Sequence, residues 1–133
     1  MRKLNRGTTL ALAGAAAVAG AVAVSTPATA AASPIAACGG GSYHVIDTHD
    51  LGPAKIYLLY NGSTNCVVTW KDSQNSTYVH AWLTRRSDGK VAFDEGNYST
   101  YAGPVKLSAA GTCIAWGGKY GSTQWVSGWS HCG

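Results

Sequence analysis

The chain has 133 residues, of which 12% are charged and 46% are hydrophobic. This length suits one small domain and excludes separate catalytic and regulatory domains. The formal net charge of +4 owes most to Arg2, Lys3 and Arg6, since the remaining residues carry seven basic and six acidic side chains. A nearly neutral remainder lacks the basic patch expected of a nucleic-acid-binding protein, and it is too hydrophobic to be disordered.

Residues 1–30 have the layout of a secretory signal peptide. A basic start is followed by an apolar run over 8–24, and Ala28-Thr29-Ala30 is a small-residue cleavage site. The run of about 17 residues is close to the minimum for a membrane span, so a retained N-terminal anchor is the alternative. We expect export, cleavage before Ala31 and no membrane attachment afterwards.

Four cysteines follow, at Cys38, Cys66, Cys113 and Cys132. An even number in a small exported chain is typical of a disulfide framework. Of three alternative pairings we favour Cys38–Cys66 and Cys113–Cys132, because each closes a short loop within one half of the chain. Lipidation of Cys38 is an alternative but would leave an odd number of thiols. No C-x-x-C pair supports a zinc site.

Two regions follow the predicted signal peptide. Residues 31–42 are small and rich in glycine, and we expect a flexible arm. Residues 43–133 alternate short segments rich in Val, Ile, Tyr and Trp with turn residues, which predicts strands. The expected strands are Tyr43–Asp47, Lys55–Tyr60, Cys66–Lys71, Thr77–Arg85, Lys90–Asp94, Val105–Ser108, Thr112–Trp116 and Thr123–Trp129. The sequence therefore predicts an all-β domain, a small antiparallel β-sandwich or barrel with two disulfides.

Side-chain alternation predicts which residues enter the core. In Thr77–Arg85 both alternating sets are largely apolar, so we expect a central strand that is covered on both faces. The two sets are Tyr78, His80 and Trp82 on one side and Val79, Ala81 and Leu83 on the other. In the preceding hairpin we expect Ile56, Leu58 and Tyr60 to be buried opposite Val68 and Trp70.

The segment His44–Asp50 holds two imidazoles and two carboxylates, side chains that bind transition metals. On an extended strand only Asp47 and His49 share a face, so a polar strand end is the simpler interpretation. No Gly-x-Ser-x-Gly motif indicates a serine hydrolase. Glu95, the only glutamate, adjoins Asp94, which does not suit the facing carboxylates of a glycosidase. We predict no enzyme activity, no metal and no cofactor.

Five tryptophans and seven tyrosines are the most unusual feature of the composition. Exposed aromatic side chains can form a platform that stacks on sugar rings or binds a protein surface. The alternative is that Trp and Tyr replace Leu, Phe and Met in a small core. The best candidates for a platform are Tyr120, Trp125 and Trp129, because the two tryptophans would share one face of a strand. Trp70, Trp82 and Trp116 are expected in the core.

The chain resembles the spore-associated protein A family, small secreted proteins of filamentous actinobacteria. The resemblance begins near Ala37, reaches the last residue and includes all four cysteines. Its motifs are Ala37-Cys38-Gly39, Asn65-Cys66-Val67-Val68-Thr69, Tyr101-Ala102-Gly103-Pro104-Val105, Cys113-Ile114-Ala115-Trp116-Gly117-Gly118 and Cys132-Gly133. It implies an exported protein associated with aerial hyphae or the spore surface, and it supplies no catalytic residues.

These observations predict a secreted, non-enzymatic protein of the spore or cell envelope, structural or adhesive in role. Its expected partners are the cell wall or spore surface, including polysaccharide, and self-association is open. One alternative is a carbohydrate-binding module that uses the predicted platform. Another is an extracellular protease inhibitor with a reactive loop near Arg85-Arg86 or Gly103-Pro104.

Overall fold

The computed structural model describes residues 31–133, so the predicted signal peptide lies outside the described residues. This part of the chain forms one short helix and eight strands. They are α1 (Pro34–Cys38), β1 (His44–Asp50), β2 (Ala54–Tyr60), β3 (Thr64–Lys71), β4 (Val79–Arg85), β5 (Val91–Gly96), β6 (Tyr101–Ser108), β7 (Ile114–Tyr120) and β8 (Thr123–Val126). Across these residues no helix has the length and apolar character needed to cross a membrane.

The strands form two antiparallel sheets of four, which confirms the all-β prediction. The first sheet has the order β1-β2-β3-β6, and the second has the order β5-β4-β7-β8. Apolar side chains from both sheets meet in one core, in which Ile56 and Leu58 of the first sheet join Leu83 and Trp116 of the second. Burial of this shared apolar surface holds the two sheets together.

Both favoured disulfides are present, Cys38–Cys66 and Cys113–Cys132. The first joins α1 to the outer side of β3. There Cys38 and Cys66 pack in a second apolar cluster with Leu59 and Val68. The second disulfide ties the C-terminal tail to the start of β7.

The helix α1 was not predicted, since we expected only a flexible arm over residues 31–42. Ser33 caps its first turn by accepting a hydrogen bond from the Ala36 amide at 3.1 Å. Pro34 suits the first helical position, where its missing N–H costs nothing. Gly39 ends the helix with a φ of 117°, a conformation that favours glycine. Local signals thus favour one helical turn, and the disulfide at Cys38 fixes it to the sheet.

The register between β2 and β3 differs by one residue from our expectation. Ile56 pairs with Thr69 and Leu58 with Val67, so these side chains share the inner face. Val68 and Trp70 point to the outer face and pack in the second cluster. Because side chains alternate, a shift of one residue exchanges the two faces of a strand. Ile56 and Leu58 are fully buried as predicted.

Two segments that lie between the expected strands are themselves part of strands. Gly103 and Pro104 belong to β6, beside a register shift in β3 between Val67 and Thr69. The strand β6 is at the edge of its sheet, where proline is tolerated. Gly117 and Gly118 belong to β7. Glycine occupies both positions because neighbouring groups approach the backbone too closely there to leave space for a Cβ atom. The actual turn between β7 and β8 contains Gly121.

Candidate binding face

The outer side of the second sheet carries a row of aromatic and apolar side chains. Strand pairing places Trp82 of β4 between Phe93 of β5 and Gly117 of β7, while His80 lies between Glu95 and Lys119. We call this surface the aromatic face. It consists of Tyr78, His80, Trp82, Val91, Phe93, Glu95, Lys119 and Val126.

Several apolar side chains on the aromatic face remain open to solvent. Phe93 is 60% exposed, Val91 52% and Val126 51%. Trp82 and His80 are half-buried. Single exposed apolar residues are ordinary, but a contiguous group of them marks an interaction surface. Our expectation that β4 is covered on both faces was therefore wrong for the side that bears Trp82.

The aromatic rings on this face pack edge to face around His80. The His80 ring centroid lies 4.8 Å from that of Trp82 and 5.9 Å from that of Phe93, with interplanar angles of 69° and 67°. Such T-shaped arrangements are favoured by the aromatic quadrupole and fix the rings relative to one another. The face is therefore preorganised before any partner arrives.

Gly117 gives Trp82 the space to lie against β7. A Cβ atom at this position would lie 2.7 Å from two atoms of the Trp82 indole. A glycine within a strand often marks such a close approach. The indole thus occupies the place that a side chain on β7 would fill, which extends the aromatic surface across two strands.

Hydrogen bonds organise the polar end of the aromatic face. The Tyr78 hydroxyl donates to Glu95 Oε1 at 2.6 Å, and this bond, with some burial, raises the pKa of Tyr78 to about 12. The Lys119 ammonium lies 5.7 Å from the Tyr78 ring centroid. Glu95 and Lys119 therefore bring opposite charges to the same end of the face.

His80 lies beneath this polar end and is neutral at pH 7. Burial is the largest influence on its pKa and lowers it below the ordinary value. The imidazole Nδ1 is 3.3 Å from the Tyr78 hydroxyl, and Nε2 has no hydrogen-bond partner among the described residues. With a neutral imidazole and balanced charges, the face suits a neutral or apolar partner surface.

The structure does not place Tyr120, Trp125 and Trp129 on one strand face. Trp125 is half-buried, stacked on His49 with centroids 3.9 Å apart and packed edge to face against Trp116. Tyr120 also packs against the core, and its hydroxyl accepts a hydrogen bond from Asn75 Nδ2 at 2.8 Å. The strand β8 ends at Val126, so alternation does not extend to Trp129.

Trp129 is 47% exposed and lies in the tail that follows β8, with the Arg86 guanidinium 5.7 Å from its ring centroid. Of the three residues expected to form a platform, it alone is largely open to solvent.

The other tryptophans divide differently from our expectation. Trp116 is 1% exposed and belongs to the main core, as predicted. Trp70 lies on the outer side of the first sheet and stacks on Tyr101, with centroids 4.6 Å apart. Trp82 is on the aromatic face and not in the core. Sequence alternation separated the two sides of β4 correctly, but both sides are apolar, so the pattern could not show which one faces outward.

Side chains of the segment His44–Asp50 pack against aromatic rings and make polar contacts. Asp47 and His49 share one face of β1, as alternation predicted. His49 stacks on Trp125, and the Asp47 carboxylate lies 3.1 Å from His131 Nε2. Within residues 31–133 no three side chains of His, Cys, Asp or Glu are grouped to hold a metal ion.

The two segments considered as protease-reactive loops are both held in place. Arg85 belongs to β4 and makes a bidentate ion pair with Asp88, while the Arg86 amide donates to the Cys113 carbonyl at 3.0 Å. Gly103 and its neighbour Pro104 are part of β6, and the Gly103 amide donates to Asp94 Oδ2 at 2.8 Å. Neither segment projects as a free loop.

Comparison with known proteins gives one informative match. No family model matches the chain, and no solved structure matches it. Spore-associated protein A of Streptomyces coelicolor is 40% identical over 108 residues, which cover 78% of this chain and 70% of that protein. Identity of this extent over most of both chains establishes common descent. The chain therefore belongs to the spore-associated protein A family.

Proposed function

We propose that this protein is a secreted, non-enzymatic adhesin that binds the surface of the spore or cell envelope through its aromatic face. The observation that carries the proposal is the contiguous exposed group formed by Val91, Phe93 and Val126 beside the half-buried Trp82. Exposing this much apolar surface is costly in water, and covering it by a partner surface recovers the cost.

The relative supports the location of the partner. Its name, spore-associated protein A, describes association with the spore, and we extend that association to this chain. The predicted signal peptide supplies the export that such a location needs. The two disulfides suit an oxidising extracellular environment.

The test is retention on intact spores. Protein expressed from the full sequence in a secreting host is mixed with spores, sedimented, washed and quantified. The test variant combines Val91→Thr with Phe93→Ser, two exposed positions at which substitution should leave the fold intact. Ile35→Ser on α1 is the matched control, because Ile35 is a similarly exposed apolar residue, at 40%, outside the aromatic face.

We expect the wild type and Ile35→Ser to sediment with spores and the double variant to stay in the supernatant. Equal retention of all three proteins would refute the aromatic face as the adhesive surface. Failure of the wild type to bind spores or hyphae would refute adhesion itself.

Polysaccharide binding is the second candidate, and the arrangement around Trp82 favours it. Aromatic rings fixed beside hydrogen-bonding groups such as Tyr78 and Glu95 suit a sugar, whose C–H faces stack while its hydroxyls hydrogen-bond. Sedimentation with purified chitin, cellulose and peptidoglycan separates the candidates. Binding to one glycan that is lost in Trp82→Ala supports this candidate, whereas binding to spores alone supports protein contacts.

A further inference from the structure

The aromatic face carries opposite charges at matching positions on the two sides of β4. Glu95 of β5 and Lys119 of β7 both pair with His80, so they lie at one level along the strands, one strand to each side. Within residues 31–133 neither side chain makes an ion pair. The face therefore presents one carboxylate and one ammonium placed symmetrically about its central strand.

Aromatic groups are arranged in the same way at the next level along the strands. There Phe93 of β5 and Gly117 of β7 flank Trp82. A Cβ atom at Gly117 would lie 2.7 Å from the Trp82 indole, so the indole covers the backbone of β7 at this position. Phe93 is 60% exposed on the other side of β4. An exposed ring on one side thus corresponds to a flat indole surface on the other.

These positions are complementary to themselves under a two-fold rotation. In a dimer with two-fold symmetry, residue i of one copy contacts residue j of the other, and j contacts i. When two aromatic faces meet about an axis that runs along β4, β5 of one copy lies over β7 of the other. Glu95 then faces Lys119 of the second copy, and Phe93 faces the indole of its Trp82. Each contact occurs twice.

A two-fold axis that runs across the strands would give poor contacts. With that axis at the level of Phe93, β5 would lie over β5, and Glu95 would face Val91 of the second copy. Lys119 would likewise face Ala115. Both charges would then lose water without gaining a partner, which is costly. The charges therefore favour the axis along β4.

We propose that a second copy of this chain covers the aromatic face, in a two-fold dimer whose axis runs along β4. Two sheets that pack face to face keep their strands roughly aligned, as this axis requires. The proposal rests on the proposed function, since it uses the same interaction surface, and it names the partner that occupies this surface in solution.

The size of the aromatic face makes this dimer weak. Four strands at the usual spacing of about 4.8 Å, each about six residues long, give a face of roughly 20 Å by 20 Å. Two such faces bury about 800 Å² in total, whereas stable complexes bury at least about 1,200 Å². The dimer therefore forms at high protein concentration, and dilution makes the face available to the spore surface.

The test is sedimentation velocity with protein expressed from the full sequence in a secreting host. Wild-type protein is measured from about 10 μM to about 1 mM, the range that suits weak association. We expect the sedimentation coefficient to rise from that of a monomer towards that of a dimer. A monomer at every concentration would overturn the proposal.

Charge reversal tests the arrangement of the two copies. In Glu95→Lys the introduced ammonium faces Lys119 of the second copy, and in Lys119→Glu two carboxylates face each other. Each variant alone should dimerise at least about tenfold more weakly, because like charges are brought together. Lys106→Glu is the matched control, since Lys106 is exposed on β6 of the other sheet, and it should dimerise as the wild type does.

An equimolar mixture of the two weakened variants gives the sharpest result. One copy then supplies both ammonium groups and the other both carboxylates, so the mixture should recover association. If the mixture stayed monomeric, or if neither single variant weakened association, the arrangement about β4 would be overturned.

Retention on spores separates this proposal from adhesion. Glu95→Lys keeps the apolar groups of Val91, Phe93 and Val126, so it should remain on spores although it no longer dimerises. Wild-type protein that dimerises but does not bind spores would refute adhesion and leave the dimer in place. Protein that binds spores but stays monomeric at every concentration would refute the dimer alone.

Discussion

A methyl group at Gly118 should disturb the contact between the two sheets. Its Cβ would lie 2.9 Å from both the His80 carbonyl oxygen and Ile56 Cγ1, and closer still to Thr69 Oγ1. Ile56 and Thr69 belong to the first sheet, whereas Gly118 and His80 belong to the second. The hydrogen bond from Thr69 Oγ1 to the His80 carbonyl crosses between the sheets at this point.

The magnitude follows from these contacts. Overpacking a well-packed interior costs about 1–3 kcal/mol, and loss of the Thr69 hydrogen bond costs about 1 kcal/mol more. Replacing glycine with alanine returns up to about 1 kcal/mol by restricting the unfolded chain. For Gly118→Ala we therefore expect a net loss of about 2 kcal/mol. In a domain of this size, that lowers the Tm by about 8–16 °C.

Thermal unfolding followed by tryptophan fluorescence measures this effect. Gly128→Ala is the matched control, because no other heavy atom would lie within 4 Å of its Cβ. We expect the control to melt within about 3 °C of the wild type, as is usual for surface substitutions. If Gly118→Ala melted as the wild type does, the close approach of the sheets at this glycine would be refuted.

Three further predictions concern stability. Cys113→Ser with Cys132→Ser opens a loop with a sequence separation of 19 residues and should lower the free energy of unfolding in urea by about 3 kcal/mol. A loss below ~0.5 kcal/mol would contradict this. The Lys71 ammonium donates to the partly buried carbonyls of Asn75 and Thr77. Lys71→Met removes this donor and should cost at least ~2 kcal/mol of stability, so an unchanged Tm would refute that role. Burial lowers the pKa of His80, so below about pH 6.5 the unfolded chain binds a proton at this residue more readily than the folded chain does. The Tm should therefore fall from pH 7 to pH 5, and it should fall less steeply in His80→Leu. Equal slopes for the two proteins would refute this linkage.

The eight strands could be predicted from the sequence because most are short runs rich in apolar, aromatic or β-branched residues between turn residues. The ends of the strands were harder to predict where a glycine could mark either a turn or a close contact within a strand. At Gly117 and Gly118 the residue type marks close approach by Trp82 and Thr69, not a turn. Only the tertiary contacts distinguish these two uses of glycine.

The candidate site shows a different limit of sequence reasoning. Alternation in β4 separated the side bearing Trp82 from the side bearing Leu83, but the two are similarly apolar. The outward side is determined by which face meets the other sheet, which depends on pairings distant in sequence. For the same reason Trp125 was expected to be exposed, although it stacks on His49 from the first sheet. Nothing in the sequence indicated that Phe93 is exposed on the candidate site, since a single phenylalanine in a strand is ordinary.

Hydroxyl-radical footprinting of the protein on intact spores tests the adhesive role of the aromatic face most directly. Oxidation of Phe93, Trp82 and Trp129 is compared between free and spore-bound protein by mass spectrometry. We predict that Phe93 and Trp82 are protected in the bound state and that Trp129 is oxidised equally in both. Protection of Trp129 with unchanged oxidation of Phe93 and Trp82 would contradict adhesion through the aromatic face and place the contact on the C-terminal tail.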